Sequence, residues 1–207
     1  MPPFLSSVVL LLLTVTSVGI LLAHQWRWLV IFLAVQYVGV FLFALEHLPL
    51  GMATVKVIAG WMGAAILAMT RSYDDEAEKA GDFLPQGRFF RLTAAAIVGL
   101  IAFTAAPQVD ALMGDAGAAL AAGSLLLVGM GLLHLGMTDQ PMRVTAGLMT
   151  VLAGFEVLYA AVENSVLVAA LLAVITLGLA LTGAYLMTAA RLAEELSAEE
   201  KEEAEAA

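Results

Sequence analysis

Two ionisable side chains lie in stretches that otherwise contain nothing for water to hold. Glu156 sits within Gly154-Phe155-Glu156-Val157-Leu158-Tyr159, and Lys56 sits within Val55-Lys56-Val57. A charge at the centre of a membrane helix costs about 2.5–3.5 kcal/mol on insertion scales, so each such group needs a partner, a change of protonation state or a task. The chemistry that suits them is proton or ion handling. Tyr159 and Glu163 follow Glu156 at i+3 and i+7, on the same face of a helix, which lines up a short series of proton-carrying groups. Gly60 and Gly63 follow Lys56 at i+4 and i+7, and a glycine stripe implies close helix packing beside the lysine. Three readings are open for the two charges. Lys56 can snorkel to the headgroups, the two can form a structural tie, or at least one of them can move protons or ions. The candidate ion-handling residues are therefore Glu156, Lys56, Tyr159 and Glu163.

Other chemistries find little support. The chain has no cysteine, which excludes thiolate metal sites, cysteine-ligated iron–sulfur clusters, c-type haem attachment and disulfides. His24 and His134 fall near segment ends at matched depth, where two imidazoles can ligate a b-type haem, but a bare pair at an interface is ordinarily made of boundary residues. His47 lies at a turn. Gln36-Tyr37, inside the second apolar stretch, reads as an interhelical hydrogen-bonding pair. No nucleophile–base arrangement, phosphate loop or metal cluster stands out, so no catalytic residue, cofactor or metal is expected. Nothing forms a basic patch, which argues against a nucleic-acid partner.

The elements that position these residues follow from composition. Of 207 residues, 62% are apolar and 13% are charged, and the mean hydropathy is +0.96. A soluble domain has roughly a quarter of its residues charged, so most of this chain must face lipid or other apolar helices. Runs of about the ~20 residues needed to cross a bilayer are predicted at 4–23, 28–45, 50–70, 92–106, 117–137, 144–162 and 166–190. The breaks carry Glu46-His47-Leu48-Pro49, the charged stretch 71–91, Pro107, Asp139-Gln140-Pro141 and Glu163-Asn164-Ser165. The first run is read as a retained helix, because Met-Pro-Pro has no basic residue and His24-Gln25-Trp26-Arg27 is a poor cleavage context. An all-α polytopic membrane protein with seven transmembrane helices is the expected fold.

Basic residues orient it. Arg27; Arg71, Lys79, Arg88 and Arg91; Arg143; and Arg191 with Lys201 fall in alternate connections and the tail, and Lys56 alone lies inside a span. The positive-inside rule makes that side cytoplasmic, with the N-terminus outside and the C-terminus inside. Trp26, Trp28, Tyr73, Phe89 and Phe90 flank the same side as interfacial anchors. The net charge of −9 comes largely from acidic residues concentrated in Asp74–Asp82 and Glu194–Glu205. The tail, rich in Ala, Glu and Leu, is expected to extend the last helix as a solvated face or to dock on a basic partner subunit. The fifth segment, with Gly117, Gly123, Gly129, Gly131 and Gly136 among alanines, is expected to be buried in protein.

Three segments over 117–190, with a short basic turn between the first two and Gly154-Phe155-Glu156-Val157-Leu158-Tyr159-Ala160-Ala161 in the middle one, resemble the small K-type (4L-type) membrane subunit of complex I and its relatives in Mrp-type antiporters. Glu156 matches the glutamate of that family's second helix. The last segment, Leu171 to Leu181, resembles the family's third helix, but Ile175 and Thr176 stand where the family has a second glutamate. Over nearly the whole length the chain resembles the E-type subunit of hydrogenase-4 and formate hydrogenlyase complexes, which carries a lysine in a Thr-Lys context; here the residues are Ala53-Thr54-Val55-Lys56-Val57. The first three segments also look like a parallel copy of the last three.

The units implied are a three-helix membrane unit with a charged loop (1–91), a linking helix (92–116), a K-like three-helix unit (117–190) and an acidic tail (191–207). The resemblance implies a non-catalytic membrane-arm subunit of a multisubunit proton- or sodium-translocating complex. It would sit in a prokaryotic inner or plasma membrane beside other membrane subunits of a respiratory, hydrogenase or antiporter complex. A stand-alone small-solute transporter and a structural anchor are the alternatives.

Overall fold

Apolar runs separated by short polar turns can satisfy their backbone in lipid only as helices. The structure, a computed structural model, describes residues 2–71, 87–114, 117–163 and 165–206, and among these the chain forms seven α-helices and no strand. They are α1 (Pro3–Leu22), α2 (Trp26–His47), α3 (Leu50–Arg71), α4 (Arg88–Leu112), α5 (Ala118–Leu135), α6 (Pro141–Val162) and α7 (Val166–Ala206). Each is long and apolar enough to cross a membrane, which makes this an all-helical protein of multi-pass membrane type. The acidic stretch Asp74–Asp82, with Tyr73 and Lys79, lies outside the described residues.

α4 exceeds its sequence-based bounds by several residues at each end, and α7 continues into the tail as expected. α4 runs from Arg88 to Leu112 and contains Pro107, the residue expected to end it. Proline forfeits one backbone hydrogen bond, which membrane helices tolerate where neighbours compensate. Only one further turn follows, and it is tied down by Asp110 Oδ1, which accepts the Gly117 N–H at 2.7 Å. α7 continues through the acidic tail to Ala206, 41 residues in all. At 1.5 Å per residue it is about 60 Å long, twice the ~30 Å hydrocarbon thickness. Its last third carries exposed Glu195 and Glu199, and it leaves the bundle as a helix.

One principal core joins Leu13 of α1, Phe43 of α2, Leu67 of α3, Leu127 of α5, Met149 of α6 and Ala180 of α7. Both three-helix units thus share it, and each helix of the first triplet contacts its counterpart in the second: α1 with α5, α2 with α6, α3 with α7. α5 is buried, as its glycines led one to expect. A Cβ at Gly131 would meet Val151 N at 2.8 Å and Gly147 O at 2.9 Å, and one at Gly154 would meet Ser124 O at 2.7 Å. Glycine is what lets α5 and α6 touch backbone to backbone. α4 is peripheral. It buries Ala95, Ala102 and Ala106 and leaves Ile97, Leu100, Ile101 and Phe103 exposed, the composition of a lipid-facing helix.

The helix ends sort by charge. At one end Arg143 Nη2 donates to His24 O at 3.1 Å and Arg191 Nη2 donates to Thr70 O at 2.9 Å. Arg27 lies over the Trp26 ring at 5.5 Å, while Trp28, Phe89 and Phe90 are exposed. We call this the basic end. At the opposite end Ser6 Oγ donates to Glu46 Oε1 at 3.1 Å.

Candidate functional site

The two charges singled out by sequence meet. Lys56 Nζ of α3 stands 3.5 Å from Glu156 Oε2 of α6, with both side chains 3% exposed or less. Snorkelling is therefore not what Lys56 does. The glycine stripe explains how α3 comes close enough. A Cβ at Gly60 would run into the Tyr37 ring, and one at Gly63 would meet Met149 Cε at 2.6 Å and the Ala180 methyl at 3.4 Å. Small residues one and two turns from Lys56 thus admit α2, α6 and α7 around it.

The pair is poorly satisfied for a buried one. Charge-assisted N–H···O contacts are normally about 2.7–2.9 Å, and at 3.5 Å the Lys56 ammonium, which carries three donors, makes no hydrogen bond among the described residues. The other carboxylate oxygen, Glu156 Oε1, faces the Thr176 hydroxyl of α7 at 3.5 Å. Thr176 has a single proton, and the Leu172 carbonyl at 3.0 Å is the nearer acceptor. Neither ion is held by the short, saturated set of contacts that makes a buried pair favourable.

Polar groups continue from the pair toward the basic end. Tyr37 of α2 faces Thr176 and Glu156, and its hydroxyl donates to Met149 O at 3.4 Å. Beside it, Gln36 Nε2 donates to Thr150 Oγ1 at 3.3 Å, and Thr150 donates to Ala146 O at 2.8 Å. Gln36 Oε1 is buried without a partner among the described residues. The expected interhelical role of Gln36-Tyr37 is thus found, between α2 and α6.

The remaining candidates lie on the other side of the pair. Tyr159 is half-buried and stacks on Phe155 at 6.3 Å between ring centroids, and Glu163 is exposed at the end of α6. Tyr159 and Glu163 are electrostatic neighbours, but the contacts of Glu156 itself are Lys56 and Thr176. Thr176 and Tyr37 are the site residues that sequence reasoning did not select as such. Thr176 was visible only as the residue standing where a resembling family has glutamate. Its place on Glu156 depends on the register of α7 against α6, which hydropathy does not encode.

His24 is exposed and His134 buried. Among the described residues no group of three or more His, Asp or Glu side chains is placed to hold a metal ion. No protein-family model, no curated protein and no solved structure matches the chain.

Proposed function

We propose that this chain is a non-catalytic membrane subunit of a multisubunit proton- or sodium-translocating assembly, of the complex I, membrane-hydrogenase or Mrp-antiporter kind. In it the Lys56–Glu156 pair is the charge-handling element. The observation that carries the reading is the pair's incomplete satisfaction, with both charges buried and each nearest partner at 3.5 Å. Apolar residues of similar volume would serve packing as well or better than such a pair, whereas intramembrane ionisable residues mark proton and ion pathways.

Glu156 exchanges its Lys56 partner for a proton as neighbouring subunits shift. Tyr37, Thr176, Gln36 and Thr150 then provide hydroxyl and amide groups toward the basic end, with Tyr159 and Glu163 toward the other. The basic end faces the cytoplasm, in a prokaryotic plasma membrane, and any redox chemistry belongs to partner subunits.

Gentle purification from the native membrane, with mass spectrometry of the co-purifying chains, tests the assembly; large antiporter-like subunits are expected. Glu156→Gln is expected to impair coupled pumping while leaving the complex associated, and normal pumping in that variant removes Glu156 from the mechanism. A second reading, a stand-alone solute transporter, draws on the contacts between each helix of the first triplet and its counterpart, since transporters are commonly built from paired repeats. Purification as a lone species that binds a small solute would favour it.

A further inference from the structure

A groove of about 430 Å³ runs between α1, α4 and α5, and Val18, Ala95, Gly99, Phe103, Leu126 and Met130 are among its walls. From Leu92 to Phe103 it follows α4 over twelve residues, or roughly 16 Å at a rise of 1.5 Å between successive residues. That is about the ~15 Å depth of one leaflet of a ~30 Å hydrocarbon core. Its floor is low because alanine and glycine form it. A Cβ at Gly99 would meet nothing nearer than Leu126 Cδ1 at 4.0 Å.

One turn further toward the basic end, the same three helices and the start of α6 enclose a small cavity of about 10 Å³, lined by Leu21, Arg91, His134, Met137, Thr138 and Arg143. That is the size of one water molecule or one hydroxyl group. The His134 ring is 4% exposed and hydrogen-bonds the Arg143 backbone, while its Nε2 is buried with no partner among the described residues. In a neutral imidazole that donates through one nitrogen, the other is an acceptor, so the cavity offers a bare acceptor to a hydroxyl. Gln140 Oε1 at 2.9 Å and His24 O at 3.1 Å are among the acceptors that hold the Arg143 guanidinium in place, and Arg91 lines the same cavity.

We propose that groove and cavity together form a binding site for an anionic glycerophospholipid with a hydroxylated headgroup, of the phosphatidylglycerol class. One acyl chain lies along α4 past Gly99, the phosphate sits between Arg91 and Arg143, and a headgroup hydroxyl donates to His134 Nε2. Basic pockets between helices at the charged end of a membrane protein are suited to acidic headgroups. Here the charges and the acceptor lie along the same three helices and the start of α6, about one turn beyond the acyl-sized groove.

The test is native mass spectrometry of the full-length chain in mild detergent, titrated separately with phosphatidylglycerol, phosphatidic acid and phosphatidylcholine. The expected order of retention is phosphatidylglycerol, then phosphatidic acid, then phosphatidylcholine. Arg91→Gln and Arg143→Gln should each weaken both acidic lipids about fivefold. His134→Ala should lower phosphatidylglycerol to the level of phosphatidic acid and leave the latter unchanged. Gly99→Leu, which fills the groove without touching the charges, should weaken all three lipids while leaving the melting temperature within a few degrees of the parent. Equal retention of phosphatidylglycerol and phosphatidylcholine overturns the proposal. So does displacement of phosphatidylglycerol by equimolar inorganic phosphate, or unchanged lipid retention in the folded Gly99→Leu chain.

Discussion

Replacing Lys56 and Glu156 by methionine, singly and together, asks what their meeting is worth. At the observed 3.5 Å, two unit charges attract by 332/(20 × 3.5), about 5 kcal/mol at an effective dielectric constant of 20. Taking each charge into the membrane interior costs about 2.5–3.5 kcal/mol, or about 5–7 kcal/mol for both. Attraction and desolvation nearly cancel, so the pair adds little net stability. Lys56→Met alone leaves a buried carboxylate with only the neutral hydroxyls of Thr176 and Tyr37 nearby, and Glu156→Met alone leaves an ammonium without its counter-charge. Breaking one side of a buried pair in this way costs about 3–5 kcal/mol, whereas replacing both partners by apolar residues is close to neutral or stabilising.

The expected result is two severely destabilised single variants and a double variant within about 1 kcal/mol of the parent. That gives a coupling energy of about 5 kcal/mol or more. Unfolding in mixed detergent–SDS micelles, followed by far-UV circular dichroism, measures it; 3 kcal/mol is a change of more than a hundredfold in the folding constant. Single variants within about 0.5 kcal/mol of the parent, or a double variant that is simply the sum of the two losses, would refute the reasoning. The double variant also separates structure from function. It should fold and assemble normally yet fail in coupled ion movement.

Further outcomes follow from other parts of the bundle. Gly60→Ala forces a methyl into the Tyr37 ring and should cost about 1–3 kcal/mol, while Gly51→Ala on the same helix, with nothing within 4 Å, should be neutral or stabilise by up to about 1 kcal/mol; thermal unfolding of the two side by side decides it. Gln36→Leu loses the 3.3 Å bond to Thr150 but also removes a buried, unpartnered oxygen. Interhelical hydrogen bonds in membranes average about 0.6 kcal/mol, so its unfolding free energy should change by less than about 1 kcal/mol. Because the chain has no cysteine, Asp139→Cys and Glu163→Cys, both at exposed positions, can be probed with a membrane-impermeant maleimide. Glu163→Cys should label in intact cells and Asp139→Cys only after permeabilisation; the reverse pattern would invert the orientation. Truncation after Arg191 retains the bond to Thr70 O and should leave the unfolding midpoint unchanged.

What could be read from sequence was set by how local its physical cause is. Seven helices were readable because lipid leaves the backbone no alternative and the intervening polar turns are short. The Lys56–Glu156 meeting was readable as a possibility because two expensive charges at equal depth have few other ways to be accommodated. α4 ends beyond Pro107, where sequence alone predicts a stop, because that rule assumes no later tie such as Asp110 to Gly117. The surroundings of Glu156 were partly misdirected for a related reason. Helical spacing along α6 points to Tyr159 and Glu163, yet Thr176 and Tyr37 reach the pair from α7 and α2, and no pattern within α6 reports what other helices bring.

The same non-locality bears on how the site can work. A carboxylate whose neighbours come from three other helices changes its surroundings whenever any of those helices slides. The close approach at Gly60 and Gly63 leaves little slack to absorb such a movement. With contacts of 3.5 Å on both carboxylate oxygens, a closing shift of about 0.6–0.8 Å completes the Lys56 bond and an opening one releases it. A pair already at its short limit would resist such a shift, and a well-separated one would ignore it. Glu156 thus stands at a distance from which helix motion in either direction changes its pairing, and that dependence is what the proposed role in ion movement requires of it.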